Sequence, residues 1–279
     1  MKFEKLAALL EKSPFDFKVY MPAGAAVGVS LDALVSDSRK AGRESLFACV
    51  TGEHSDGHDY AAKAVAAGAA ALLCERRLDL SVPQLLCSNV RSAMGAAASA
   101  LYDNPSGKLS MIALTGTAGK TTSTFMTRSI LQRNGIKTGL LGTVWYDDGS
   151  VSEDADRTTP EGSDVQAWLR RMVDNGCRAC VMETSSHSIV QGRLNGALYD
   201  RAGFTNLSVD HLDYHKDMES YFLAKKTLFD SYMRGNWRAA VNIGNEYGAR
   251  LARELGSHAD TYALDDSGAM FTARVLGRS

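Results

Sequence analysis

A chain of 279 residues, 45% hydrophobic and 23% charged, has the length for two ordinary domains and the composition of a globular protein. Its 31 lysines and arginines against 32 aspartates and glutamates leave a net charge of −1, which removes the electrostatic case for nucleic acid or an anionic membrane as partner. No apolar run reaches membrane-spanning length, and Met1-Lys2-Phe3-Glu4-Lys5 carries no apolar signal core, so a cytoplasmic protein without membrane insertion is expected. Cys177 and Cys180 form a C-x-x-C spacing, but no second pair accompanies them among Cys49, Cys74 and Cys87. Core thiols in a reducing compartment are the expectation.

In chain order, Phe3, Leu6, Leu9 and Leu10 space a short amphipathic helix over residues 1–13, ended near Ser13-Pro14. Gly28–Leu34 and Ser45–Val50 read as strands, with a polar loop at Thr51–Asp59 after the second. Tyr60–Ala70 reads as an alanine-rich helix stopped near Gly68, followed by short strands at Ala71–Cys74 and Leu85–Cys87. A helix over Ser92–Leu101 runs into Asp103-Asn104-Pro105-Ser106-Gly107, a linker composition. Residues 1–105 are therefore expected to form one small α/β domain and 106–279 a second.

The second begins with the most informative stretch of the chain. Lys108–Leu114 is an apolar strand, Thr115–Thr122 a tight glycine loop, and Ser123–Leu131 a helix with apolar positions at Phe125, Met126, Ile130 and Leu131. Strand, glycine loop and helix start in this order make a phosphate cradle, because backbone N–H groups and the positive helix end converge on an anion. Lys120 would add a point charge on the phosphates and the Thr121 hydroxyl a magnesium ligand. The pattern is the shorter G-x-x-G-K-T; Leu114 stands where the longer G-x-x-x-x-G-K-[ST] needs glycine. A plain turn with a solvated Lys120 is the alternative, and the apolar strand before the loop and the helical spacing after it weigh against that.

Ile136–Gly142 is the next strand, and the polar stretch Tyr146–Asp156 reads as a mobile segment. A helix at Asp164–Asn175 precedes a buried strand at Arg178–Thr184; further strands are expected at Ala202–Leu207, Arg238–Ile243 and Asp260–Ala263. Helices are expected at Met218–Tyr232 and Glu246–Leu255. Alternation of this kind specifies a mostly parallel sheet wrapped on both faces, with sites at the carboxyl ends of its strands. Glu183 ends one strand, where a carboxylate for magnesium is useful beside a phosphate loop, and the hydroxyl-rich Thr184-Ser185-Ser186-His187-Ser188 follows. Asp210-His211-Leu212-Asp213-Tyr214-His215 follows the next strand, so three of the six histidines gather at two strand ends. Lys225, beside Lys226, reads from local pattern as a surface lysine.

Several runs together resemble the Mur ligases, and within them the UDP-N-acetylmuramoyl-tripeptide synthetases (the MurE type). They are Ser36-Asp37-Ser38-Arg39, Asp56-Gly57-His58, the loop 116–122, Glu183-Thr184-Ser185-Ser186-His187, the run from Phe204 to His215, and Ala224-Lys225. The resemblance implies a uridine-binding α/β domain followed by a P-loop-type ATPase sheet. It implies an ATP- and magnesium-dependent amide ligase of peptidoglycan synthesis, adding diaminopimelate rather than lysine to UDP-MurNAc-L-Ala-D-Glu through an acyl phosphate. It assigns ATP to Gly116, Thr117, Ala118, Gly119, Lys120, Thr121 and Thr122, one magnesium to Thr121 and Glu183, and a second to His211. Lys225 would be carbamylated and would act as a further metal ligand. Ser36, Ser38, Glu53, His54 and Ser55 would take the uridine end, and Thr158, Thr159, Ser185, Gln191 and Arg193 the muramoyl-dipeptide. Two departures stand out: Ala118 replaces an amide or hydroxyl side chain, and the family's carboxyl-terminal domain, with the end of the central one, has no counterpart before Ser279. Another Mur-type ligase, a folylpolyglutamate synthase relative and a non-catalytic nucleotide- or UDP-sugar-binding module are the alternative readings.

Overall fold

The computed structural model describes residues 1–52, 55–265, 268–274 and 276. Two compact units emerge: one of residues 1–107, 160–170 and 191–197, the other of residues 108–159, 171–190 and 198–279.

The first unit is built on α1 (Phe3–Leu10), β1 (Lys18–Tyr20), β2 (Ala33–Val35), β3 (Ser45–Ala48), α2 (Ala61–Ala66), β4 (Ala71–Cys74), β5 (Gln84–Leu86) and α3 (Val90–Leu101). Its sheet has the order β1-β5-β4-β3-β2, parallel except for β1, which pairs antiparallel with β5. Successive side chains of a strand point to opposite faces, and this alternation divides the core. Leu46, Ala48, Ala71 and Leu73 pack with Phe3, Leu6, Leu10, Val90 and Met94 under α1 and α3. Phe47, Cys49, Leu72 and Cys74 pack with Ala61 and Ala64 of α2. Both faces of β3 and β4 are thus covered, which is why these strands read as unbroken apolar runs. The expected strand at Gly28–Leu34 is mostly an extended approach to β2, pinned by a bridge between Lys2 and Ser30. The long alanine helix shrinks to α2, preceded by a 3₁₀ turn at Gly57–Tyr60.

The later segment 191–197 joins this unit because α3 carries glycine where the two meet. A Cβ on Gly95 would overlap the Asn195 carbonyl oxygen, and one on Gly196 would lie 2.5 Å from the Gly95 oxygen. The Asn195 side-chain amide also donates to the Ser92 carbonyl at 2.8 Å.

The second unit comprises β6 (Ser110–Thr115), α4 (Lys120–Arg133), β7 (Thr138–Leu141), β8 (Trp145–Asp147), β9 (Ser152–Asp154), α5 (Gly162–Asp174, shared with the first unit), β10 (Ala179–Glu183), α6 (Ser186–Val190), β11 (Tyr199–Phe204), α7 (Leu212–His215), α8 (Met218–Ser231), β12 (Met233–Asn242), α9 (Glu246–Leu255), β13 (Ala259–Leu264) and β14 (Phe271–Ala273). The strand order is β14-β13-β12-β11-β6-β10-β7-β8-β9, parallel from β14 to β7. The expected mobile stretch at Tyr146–Asp156 is instead the antiparallel pair β8–β9. Polar composition misled there because its charges are used internally: Arg128 pairs with Asp147 at 2.6 Å, and Arg171 with Asp148 and Glu153 at 2.7 and 2.9 Å.

α4 starts three residues earlier than its apolar spacing suggests, at Lys120. Met126 and Ile130, expected in its buried stripe, are each 60% exposed. All five cysteines are free and buried, and burial pushes the Cys74 and Cys87 thiols up to about 12, as expected of core residues.

Gly95→Ala gains helix propensity but must move the 191–197 turn. The variant is expected to lose about 1–3 kcal/mol in urea unfolding despite its better helix former.

Candidate functional site

The register of the central strands sets the site. Glu183 of β10 stands opposite Leu114 of β6, and Phe204 of β11 opposite Thr115. The glycine loop after β6 therefore emerges between the ends of its two neighbours, at the carboxyl edge where a parallel sheet opens a crevice.

The segment that follows β11 clamps that loop from one side. Thr205 donates its hydroxyl to the Ala118 carbonyl at 2.6 Å, and the Asn206 side chain both accepts from the Ala118 N–H at 2.9 Å and donates to its carbonyl at 3.1 Å. The Thr117 hydroxyl reaches the Ser208 backbone and the Tyr221 hydroxyl, each within 3.1–3.3 Å. Gly116 sits at φ +143°, and a side chain there would overlap the Thr205 hydroxyl. Gly119, at φ +82°, turns the chain into α4. The first N–H groups of α4, which have no partner within the helix, are thereby set at the loop.

Glu183 is the acid of this edge. It has no exposed surface, yet no lysine or arginine pairs with it among the described residues. Its oxygens accept from the Thr121 hydroxyl at 3.0 Å, the Thr143 N–H at 2.9 Å and the Thr143 hydroxyl at 3.1 Å. The Thr143 hydroxyl also meets that of Thr158 at 3.1 Å. Thr159 donates to the Glu183 carbonyl at 2.9 Å and accepts from the Ser185 N–H at 3.3 Å. Thr121, Thr158, Thr159, Glu183 and Ser185 thus form one hydrogen-bonded group. A buried carboxylate satisfied only by hydroxyl and amide donors suits a hard divalent cation, which such oxygens bind. Among the described residues no three His, Cys, Asp or Glu side chains make a metal cluster by themselves.

Lys225 overturns its surface reading. It is 1% exposed, its ammonium donates to the Gly116 carbonyl at 3.0 Å, and it lies 4.4 Å from the Tyr221 ring centroid. Lys120 donates to the same carbonyl at 3.0 Å and to that of Thr117 at 3.1 Å. Burial, and then the neighbouring Lys120 charge, lower Lys225 to about 7; burial lowers Lys120 too, with Glu183 opposing it. Helical spacing could not reveal this, since the burying partners come from a loop about a hundred residues earlier.

The three histidines do converge. The His187 ring lies 4.8 Å from His211 and 5.5 Å from His215, with Tyr214 at 4.2 Å. His211 adopts φ +50° beside Asp210, while His215 is bonded to the Ser186 hydroxyl at 2.8 Å. Burial and its cationic neighbours lower His215. His211 and Lys225 both border Tyr221, whose ring lies 6.2 Å from the His211 ring.

In the first unit, Ser36, Asp37, Ser38 and Arg39 line a cavity of about 350 Å³ with Ser55, Tyr60 and Lys63. Arg39 chelates the Asp37 carboxylate at 2.8–3.1 Å and holds its pKa down to about 2. His58 is structural here: its Nε2 accepts from the Glu75 N–H at 2.9 Å, so its Nδ1 donates to Asp56 at 2.6 Å. Glu53 and His54 lie outside the described residues. Arg193 is held by Gln191 at 2.6 Å and by Glu161 at 3.3 Å. Thr143, Thr205, Asn206 and Tyr221 escaped the sequence reading as site members. Thr143 follows a strand end, the one signal that could have found it.

A parallel sheet with a phosphate-loop crevice defines the class, and comparisons define the family. The Mur ligase middle domain model matches residues 114–276, and the Mur ligase family catalytic domain model matches residues 31–104. The chain belongs to the Mur ligase family. It is 46% identical over 218 residues to the UDP-N-acetylmuramoyl-L-alanyl-D-glutamate--2,6-diaminopimelate ligase of Geobacillus kaustophilus, spanning 78% of this chain and 42% of that protein. With the corresponding ligase 1 of Clostridium acetobutylicum the identity is 41% over 247 residues, 86% of this chain and 49% of the relative. A solved structure of a diaminopimelate ligase of this name superposes with a TM-score of 0.70 at 26% identity, covering 87% of this chain and 50% of that one. A MurF ligase from Thermotoga maritima, solved with ADP, shares the fold at a TM-score of 0.62 and 19% identity, over 83% of this chain and 50% of that one. The chain spans about half the length of the curated relatives it matches. No helix among the described residues is long and apolar enough to cross a membrane.

The shift at Lys225 has a signed consequence. The unfolded chain keeps this proton to about pH 10.5 and the folded chain releases it near 7, so the unfolded state binds more protons in between and stability rises with pH across that window. Lys225→Met removes the penalty. In carbon-dioxide-free urea titrations its stability advantage over the unsubstituted chain is expected to be a few kcal/mol near pH 6 and to shrink as pH approaches about 10.

Proposed function

We propose that this chain carries the UDP-substrate and ATP sites of a cytoplasmic ligase that joins diaminopimelate to UDP-MurNAc-L-Ala-D-Glu in peptidoglycan synthesis. The observation that carries the reading is the buried Glu183 carboxylate on the Thr121 hydroxyl at the glycine loop; the names of the similar ligases supply the substrate class. Residues 1–105 are assigned the uridine end, through Ser36, Ser38 and Ser55 at their cavity, and residues 106–279 the nucleotide.

In this reading the loop 116–122 and the α4 N-terminus take the ATP phosphates, and Lys120 swings from its two carbonyls onto them. Thr121 and Glu183 would hold one magnesium; His211 and Lys225 would serve a second. Magnesium, when bound, neutralises the phosphate charge that otherwise repels an attacking carboxylate. Lys225 is suited to its part because an amine lowered to about 7 is substantially neutral at physiological pH. The lone pair of the neutral amine can add to carbon dioxide, one proton leaves the nitrogen for solvent, and the amine becomes a carboxylate-like carbamate with one negative charge. Thr158, Thr159 and Ser185, with Gln191 and Arg193, are assigned to the muramoyl-dipeptide, whose carboxylate takes the phosphoryl group before the amine displaces it.

Two measurements check this. Lys120→Ala is expected to weaken ATP binding about 100-fold, the scale of a lost charged contact, while UDP-MurNAc-dipeptide still binds. Loss of both with the fold intact contradicts two separate sites, and binding of both ligands without phosphate release when diaminopimelate is added favours a non-catalytic module. In ¹³C-bicarbonate near neutral pH, a carbamate carbon resonance is expected from the unsubstituted chain and not from Lys225→Met; a spectrum unchanged by the substitution rules out this lysine as the site.

A further inference from the structure

Glu183 is assigned to the cation and Thr158 to the acidic peptide, and one side chain joins them. Thr143 follows β7, the strand beside β10, and is itself exposed at the rim of the crevice. Its backbone N–H holds Glu183 Oε1 at 2.9 Å, and its hydroxyl lies 3.1 Å from Glu183 Oε2 and 3.1 Å from the Thr158 hydroxyl.

A hydroxyl has one proton and can donate it once. With Glu183 ionised and no cation present, the carboxylate takes the Thr143 proton, and the Thr143 oxygen then accepts from Thr158. The Thr158 proton is turned inward, and only lone pairs face a ligand on its far side. A divalent cation held by Glu183 would compete for the carboxylate lone pairs and neutralise the charge that drew the Thr143 proton. That proton is released toward Thr158, whose own proton can then turn outward to an anionic oxygen. The three groups make a chain whose polarity reverses when the carboxylate is coordinated.

We propose that Thr143 is a positioning residue that couples the cation–nucleotide site to the peptide site by reversing the donor direction of Thr158. The inference rests on the assignments of Glu183 and Thr158 under the proposed function. Magnesium–nucleotide then favours the acidic dipeptide, and by linkage the dipeptide favours magnesium–nucleotide by the same factor.

The test is the ratio of dissociation constants for UDP-MurNAc-L-Ala-D-Glu, by calorimetry, without and with a saturating magnesium complex of a non-hydrolysable ATP analogue. The unsubstituted chain is expected to show tightening of about 10-fold, the ordinary scale of site–site coupling. Thr143→Val keeps the shape and the N–H to Glu183 but loses the hydroxyl; its ratio is expected to fall to within about 2-fold of unity, and Thr143→Ser to restore it. A merely structural role would lower both affinities and leave their ratio intact. Full tightening in Thr143→Val, with circular dichroism unchanged, overturns the proposal, as does a ratio near one in the unsubstituted chain. Failure of the unsubstituted chain to bind either ligand is the distinct result that removes the functional reading itself, and the coupling with it.

Discussion

A carboxylate with no exposed surface, and no cationic side chain paired with it among the described residues, is the constraint on which the site depends. Removing an ionised group from water is costly unless its oxygens are bonded. Glu183 meets that cost with two threonine hydroxyls and one backbone amide. Those donors come from α4 and from the turn after β7, so two chain segments are tied to the end of β10. Gly142 belongs to the same arrangement, since a Cβ there would lie 2.5 Å from Glu183 Oε1. Hydroxyls and amides, unlike an arginine, leave the negative charge uncompensated. The edge therefore keeps an appetite for positive charge.

On the other side of the glycine loop the balance is reversed. Lys120 and Lys225 donate to one carbonyl, that of Gly116, and burial, with Lys120 repulsion added to it, lowers the second amine to about 7. The loop thus lies between an acid with no ion pair among the described residues and two amines in competition. A polyanion with divalent cations answers both conditions at once, which is the physical reason the crevice suits a metal-bound triphosphate better than a neutral ligand. The side-chain clamp from Thr205 and Asn206 holds the loop by its Ala118 peptide group, so that no reach from residue 118 itself is needed to shape it.

Much of this was legible in the residues. The apolar run before Gly116, the strand ending in Glu183 and the run ending at His215 announced a parallel sheet with its chemistry at one edge, because a strand buried on both faces leaves an unmistakable apolar run. The histidine convergence followed from two strands, β10 and β11, that flank β6 and end at the same edge of the sheet. What was hidden depended on contacts distant in sequence. Lys225 lies on a helix whose own spacing says nothing of a loop near residue 116, and only the tertiary partner makes it a buried amine. Met126 and Ile130 had helical periodicity without a buried face to match. The hairpin β8–β9 looked like a mobile loop because charges that pair with Arg128 and Arg171 are indistinguishable, in one dimension, from charges that face water.

The docking of residues 191–197 against the glycine in α3 bears on how the molecule is assembled. A compact unit that begins at Met1 draws in a turn that leaves the ribosome nearly a hundred residues after α3 is made. Until then the Gly95 surface has no carbonyl to receive, and Arg193 has not yet emerged to meet Glu161. Synthesis order and folding order therefore part company: the amino-terminal unit is the first to be translated but cannot close until most of its neighbour's strands have followed it out.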